Sequence, residues 1–451
     1  MVGSFGSGCL GSDGSAASQA LEDMFYPKSV TPDMLCRIFS EIIKEIRYPH
    51  SMAGKLPNSR HHERMESIIS DERRETQDLS PDEFRRYARH ITIPEVGLEG
   101  QKRLKAASVL CIGAGGLGSP IAMYLAAAGV GRIGLVDFDT VDYTNLQRQI
   151  LHGTSDVGRL KLDSALETLK RINPEVVVDL YPERFTSHNA KALATGYDIL
   201  IDGTDNFPTR YLTNDVSFLM GKPNVYGAIF RFEGQVSVFA PHLGSPCYRC
   251  LFPQPPLPGQ VPSCAEGGVL GVLPGIVGCL QASEAIKLLL GLGDPLLGRL
   301  VHFDALRFRF REIKLRRDPD CPLCGNTPTI LEPTDLPDTC EANMSPLPEI
   351  SVHDLNSIFQ QGRPFVLLDV REPNEHELCR LPGARLIPLG ELPNRLHELD
   401  PGEEIIVHCK AGGRSARALQ LLLAHGFGNV CHVQGGINAW SKEIDPSIPL
   451  Y

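Results

Sequence analysis

The sequence predicts an α/β protein: a doubly wound, Rossmann-like first domain followed by a smaller α/β domain. Three observations carry this reading. From Ser80 onward, short apolar strands alternate with helical patterns. A glycine loop, Gly113-Ala114-Gly115-Gly116-Leu117-Gly118, lies between a strand and a helix. After a proline-rich stretch the alternation resumes, and the 451 residues are enough for two or three separate cores.

Residues 1–78 read as an N-terminal extension, Gly/Ser/Ala-rich at its start and expected to be mostly disordered. Within it the spacing predicts one amphipathic helix over 32–47. Thr31 is its N-cap, Pro32 its first residue, and Leu35, Ile38, Phe39, Ile42, Ile43 and Ile46 form its stripe. The first domain spans 79–325 and opens on Ser80-Pro81-Asp82-Glu83, a capping box with proline at the first helical position. Strands are expected at 109–112, 132–138 and 198–202, with helices at 120–128 and 160–172 between them. The stretch 253–262 is a proline-rich crossing loop. The most apolar region, 269–292, is broken by Pro274, Gln281, Glu284 and Lys287, so it reads as a core helix, not a membrane span. Residues 326–347 read as a linker. The second domain, 348–451, has expected strands at 364–370 and 404–408, the latter delivering Cys409 to a loop before a helix over 416–424.

Lys and Arg number 44 against 54 Asp and Glu, a formal charge of −10. This balance argues against direct nucleic-acid binding and against a basic membrane patch. The start of the chain resembles neither a signal peptide nor a transit peptide. With 13 cysteines, a cytoplasmic location is the expectation, the thiols serving metals or catalysis in preference to disulfides.

The glycine loop lets backbone N–H groups and a helix N-terminus approach phosphates, and Asp137, closing the next strand, suits ribose hydroxyls. On these residues alone a dinucleotide dehydrogenase and an ATP enzyme are both open. Asn145-Leu146-Gln147-Arg148-Gln149, Lys161 and Asp205-Asn206 add cations and a carboxylate. Hydride transfer does not need them; splitting ATP between its α- and β-phosphates does. With Arg86-Tyr87-Ala88-Arg89-His90, Asp137-Phe138-Asp139 and Tyr248-Arg249-Cys250-Leu251, the first domain resembles the adenylyltransferase fold of ubiquitin-activating enzymes in its small prokaryotic-type form. That resemblance implies ATP with Mg²⁺ and adenylation of the C-terminal glycine of a ubiquitin-like sulfur carrier. It places Gly113, Gly115, Gly116 and Gly118 around the nucleotide and Asp137 on its ribose. Asn145, Arg148 and Lys161 fall on the phosphates, beside Leu146, Gln147, Gln149 and Asn206. Asp205 falls on Mg²⁺, and Arg89 reaches across a homodimer interface.

Cys247-Tyr248-Arg249-Cys250 and Cys321-Pro322-Leu323-Cys324 are two C-x-x-C pairs. Four thiolates match a closed structural Zn²⁺ site; a redox dithiol is the alternative.

Cys409-Lys410-Ala411-Gly412-Gly413-Arg414-Ser415 is built to hold sulfur or phosphate. Glycines turn N–H groups toward an anion, and the following helix, entered at Ser415, favours thiolate. A cysteine phosphatase would have five residues between Cys and Arg; here there are four. With Asp369-Val370-Arg371-Glu372, Leu381-Pro382-Gly383-Ala384 and Gln434 to Trp440, the second domain resembles a rhodanese. Relatives often carry Gly-His-Ile where this chain has Cys379-Arg380-Leu381. Asp369 and Arg371 are expected to be structural and Trp440 a core residue. Cys111, Cys279 and Cys431 are also expected in the core. Cys264 has two readings: a buried small residue, or, as the resemblance implies, a thiol that attacks the activated carboxyl or its persulfide. Together the resemblances imply sulfur transfer from a Cys409 persulfide, loaded by thiosulfate or a cysteine desulfurase, onto the adenylated carrier. The thiocarboxylate would serve molybdopterin synthesis or a related pathway such as tRNA thiolation. Activation for conjugation through a thioester is the alternative.

Overall fold

The computed structural model describes residues 65–256, 268–336 and 347–451. The expected helix over 32–47 and Cys264 lie outside the described residues, as do most of the crossing loop and half of the linker.

Eight strands form the first sheet: β1 (Ser108–Ile112), β2 (Arg132–Val136), β3 (Val177–Tyr181), β4 (Ile199–Asp202), β5 (Asn224–Phe230), β6 (Glu233–Phe239), β7 (Arg299–Asp304) and β8 (Arg309–Lys314). Their order is β3-β2-β1-β4-β5-β6-β7-β8. The first five pair in parallel and the last three add antiparallel, so the doubly wound half continues into a meander that the sequence reading did not assign. β1 is buried along its whole length, as an apolar run between two helical layers must be. The capping box forms: Ser80 Oγ accepts from the Glu83 N–H, and the Glu83 carboxylate accepts from the Ser80 N–H. The helix Val272–Leu290 is long and apolar enough to cross a membrane by length and composition. It packs against β5, β6 and the helix Gly118–Ala128, and it buries Leu273, Val277, Ala285 and Leu288, so it is a core helix. Gly291, at φ +65°, ends it in a left-handed cap.

The second sheet is all parallel, in the order β11-β10-β12-β13-β9. Its strands are β9 (Glu349–Ile350), β10 (Val366–Asp369), β11 (Arg385–Leu386), β12 (Ile405–His408) and β13 (Val430–Val433). Trp440 is buried with Leu355, Ile406 and Ile437, as expected of a core residue. The helix after Cys409 starts at Gly413, two residues before the expected Ser415, because Gly412 takes φ +104° and turns the chain at once.

Candidate functional site

β1 pairs with β2 on one side and β4 on the other, so the sheet changes direction of winding at their carboxyl ends. A cleft opens there. Gly113, Gly115, Gly116, Asp137, Arg148, Gln149, Lys161, Asp205 and Asn206 all line it. A Cβ at Gly113 would stand 2.8 Å from the Gly203 carbonyl, so only glycine lets the two loops approach this closely. Gly118 belongs to a different job: a Cβ there would meet the Gly113 oxygen at 2.0 Å, and it does not line the cleft. Gln149 is buried with its Oε1 unpartnered, an acceptor ready for a polar ligand.

The charged groups are already organised. Asp137 Oδ2 accepts from the Ala114 N–H at 2.9 Å, pinning the glycine loop from the next strand. Lys161 is buried; its Nζ lies 2.7 Å from Asp139 Oδ2 and 3.7 Å from Asp137 Oδ1. A phosphate arriving here would share a cation that two carboxylates now hold. Arg148 Nη1 donates to the Thr144 carbonyl at 3.1 Å from the cleft rim.

Besides Gly118, four expected residues, Asn145, Leu146, Gln147 and Arg89, stand apart from the cleft lining. Asn145 accepts from the Asp142 N–H at 3.3 Å, closing a cap. Leu146 is half-buried, and Gln147 packs where a Gly271 Cβ would come within 2.3 Å. Arg89 is exposed on the helix Ala88–Ile91. Asn206 lines the cleft but commits Oδ1 to capping the helix Phe207–Leu219 through the Thr209 N–H at 3.0 Å.

The sequence reading missed Asp202 and Arg210. Asp202 ends β4 fully buried; Thr204 donates to its Oδ1, while Oδ2 has no hydrogen-bond partner and lies 3.4 Å from Arg210 Nε. Burial raises its pKa. The available signal was an aspartate closing the apolar run Ile199-Leu200-Ile201. A second recess shares Thr204, Asp205 and Ile229 with the first and is lined by Arg210, Tyr226 and Phe252.

Cys247, Cys250, Cys321 and Cys324 converge, their sulfurs all within 4.8 Å of one another. They come from two segments 74 residues apart. The donor set is that of a closed metal-binding cluster.

In the second sheet, β12 delivers Cys409 buried at the base of its loop. The Gly412 N–H donates to Cys409 Sγ at 3.1 Å, and Ser415 Oγ lies 3.5 Å from it. The loop is strapped from behind, where Ile437 N–H donates to the Cys409 carbonyl at 2.9 Å and Asn438 N–H to that of Lys410 at 3.1 Å. Arg414, at the end of the loop, donates both guanidinium ends to Glu375, at 2.5 and 2.7 Å. Asp369 and Arg371 are fully buried and paired at 2.6 Å. Arg371 also donates to the Cys379 carbonyl at 2.8 Å, which gives the divergent Cys379-Arg380-Leu381 stretch a packing role. Cys111 is buried as expected, whereas Cys279 and Cys431 are only half-buried, Cys431 packing against the core around Trp440.

Residues 87–323 match the ThiF family and residues 351–443 the rhodanese-like domain. The probable adenylyltransferase/sulfurtransferase MoeZ of Mycobacterium tuberculosis (strain H37Rv) is 47% identical over 384 residues, covering 83% of this chain and 96% of that one. Adenylyltransferase and sulfurtransferase MOCS3 of Sus scrofa is 44% identical over 404 residues, covering 83% and 89%. The maize protein MOCS3-1, named for the same two activities, is 42% identical over 396 residues, covering 83% and 84%. The chain thus matches these relatives over most of their length, and it belongs to the ThiF family, as one of its adenylyltransferase–sulfurtransferases.

Proposed function

We propose that this enzyme adenylates the C-terminal glycine of a ubiquitin-like sulfur carrier ending in Gly-Gly and converts it to a thiocarboxylate. ATP occupies the glycine-loop cleft, with Gly113, Gly115 and Gly116 against its phosphates and Asp137 toward its ribose. Asp205 would hold Mg²⁺, which supplies charge neutralisation on the phosphates. The carrier's carboxylate displaces pyrophosphate from the α-phosphorus, with Arg148, Lys161 and, across a homodimer, Arg89 stabilising the developing charge. Cys409, carrying a persulfide sulfur from thiosulfate or a cysteine desulfurase, attacks the acyl-adenylate and expels AMP. The acyl persulfide is then cleaved by Cys264, which leaves a Cys264–Cys409 disulfide for a cellular thiol to reduce. Zn²⁺ held by the four clustered thiolates is structural, the two domains have the boundaries 79–325 and 348–451, and the enzyme works in the cytoplasm.

The observation that carries this reading is the presence in one chain of a cleft lined by Gly113, Asp137, Arg148, Lys161 and Asp205 and of a loop in which the Gly412 N–H donates to the buried Cys409 Sγ. The thiocarboxylate would serve molybdopterin synthesis or a related sulfur pathway such as tRNA thiolation.

The test is intact-mass analysis of Gly-Gly-ended carriers incubated with the enzyme, ATP–Mg²⁺ and thiosulfate. One sulfur should replace one oxygen. Asp205→Ala should abolish adenylation and leave thiosulfate sulfurtransferase activity, and Cys409→Ala the reverse. A carrier passed as a thioester to a second protein's cysteine would replace this reading with conjugation.

A further inference from the structure

Tyr451 lies 76 residues from Glu375 and 80 from Arg371, yet its hydroxyl sits between them. Arg371 Nη1 donates to Tyr451 Oη at 2.7 Å, and Tyr451 Oη donates to Glu375 Oε1 at 3.0 Å. Glu375 is the carboxylate that takes both ends of Arg414. The Tyr451 ring meanwhile carries the Lys410 ammonium 4.7 Å from its centroid. One side chain therefore touches, directly or through a single carboxylate, both cations of the loop that begins at Cys409.

The two cations are used differently. Arg414 is buried and its charge is matched by Glu375 in a bidentate pair. Lys410 is half-buried with its ammonium over the Tyr451 ring, a π face that attracts it without neutralising it, and it makes no ion pair with Glu375 of the kind Arg414 makes. A cation held this way keeps its charge for an anion.

We propose that Tyr451 is a positioning residue of the sulfur-transfer site: its ring holds the Lys410 ammonium beside the Cys409 loop while its hydroxyl keeps Glu375 turned onto Arg414. Lys410, rather than Arg414, is then the cation that an incoming anionic sulfur donor meets. Tyr451 touches neither the sulfur nor the donor and acts through Lys410.

The experiment uses the full chain with Tyr451→Leu, which keeps apolar bulk but has no π face, Tyr451→Phe, which keeps the ring, and Lys410→Ala. Two probes are applied. The first is thiosulfate-to-cyanide sulfur transfer. The second is alkylation of Cys409 by anionic iodoacetate and by neutral iodoacetamide, followed on the Cys409 peptide by mass spectrometry. Tyr451→Leu should raise KM for thiosulfate about three- to tenfold with kcat nearly unchanged, the range expected for loss of one cation–π contact. It should lower the iodoacetate-to-iodoacetamide rate ratio by a similar factor. Tyr451→Phe should recover most of both effects. In a Lys410→Ala background, Tyr451→Leu should add nothing further.

The proposal is overturned if Tyr451→Leu leaves the ratio unchanged, if it slows both reagents alike while kcat falls, or if its effect multiplies with that of Lys410→Ala. Should Tyr451→Leu not fold, an unchanged ratio in Lys410→Ala overturns it as well. The choice of thiosulfate rests on the donor reading above. A wild-type enzyme that does not turn over thiosulfate would remove that donor, and the alkylation ratio would still decide the role of Tyr451.

Discussion

Asp369 has no exposed surface, and burial works to neutralise it; hydrogen bonds from Arg371 prevail and hold its pKa down to about 2. His408, wholly buried beside it, is pushed by burial down to about 4, and neither ring nitrogen has a hydrogen-bond partner, as suits a neutral imidazole. Arg371 and His376 are the other charged or titratable groups on this carboxylate. Both depressed values make the unfolded chain the better proton binder in acid. The His408 contribution is complete above its ordinary value of 6.5 and is lost as pH falls to about 4. That of Asp369 is complete above 3.8 and is lost toward about 2. The His408 limb is worth on the order of 3 kcal/mol. The chain has one tryptophan, Trp440, so denaturant unfolding followed by its fluorescence across a pH series reads this domain selectively. His408→Leu should flatten the limb between pH 6.5 and 4; an unaltered limb would show that His408 is not the group responsible. At this scale the sequence named Cys409 from its glycine loop, and Asp369 and Arg371 through the rhodanese resemblance. It did not disclose that Arg414 is spent on Glu375, since the partners are 39 residues apart and meet only through folding.

At the scale of elements, the helix Pro81–Arg86 illustrates how a short segment is fixed by its ends. It has six residues, too few to be stable alone, and its reciprocal capping box satisfies two N–H groups that would otherwise be orphaned. Glu83 also takes Lys105 Nζ at 2.7 Å, tying the cap to the helix Gly97–Ala106. Ser80→Ala should cost about 1 kcal/mol in thermal or chemical unfolding. No loss on Ser80→Ala would mean that packing alone sets this helix. The glycine-loop strands and helices were legible within a residue or two of their ends, because glycines and apolar runs punctuate them. Strand β3 was not expected, nor was the meander β5 to β8. Its hairpins turn through Arg231 at φ +52° and near Phe308 at φ +50°, positions where the sequence offers neither Asn-Gly nor Asp-Gly as a signal.

At the scale of the molecule, the four-cysteine cluster joins the short helix Tyr248–Leu251 to the segment after β8. Arg249, between two of those cysteines, is buried in a pair with Asp215 at 2.7 Å, so the clip bears on the helix Phe207–Leu219 that follows the cleft loop. Metal removal by a strong chelator should therefore lower the unfolding temperature of the nucleotide domain and leave the Trp440 transition in place. Circular dichroism and tryptophan fluorescence, recorded together, check this. Coincident loss of both signals would show that the two domains unfold as one unit, and no loss would dismiss a structural metal. The sequence by itself determined the α/β class, the glycine loop, the two C-x-x-C pairs and the cysteine loop, because each is written in residues close together along the chain. Only the tertiary structure decided that Lys161 rests between Asp137 and Asp139, that Asp202 faces Arg210, and that Tyr451 comes back to the Cys409 loop. Those pairings depend on which strand ends and loops the folded sheets bring side by side, and local sequence carries no record of such distances.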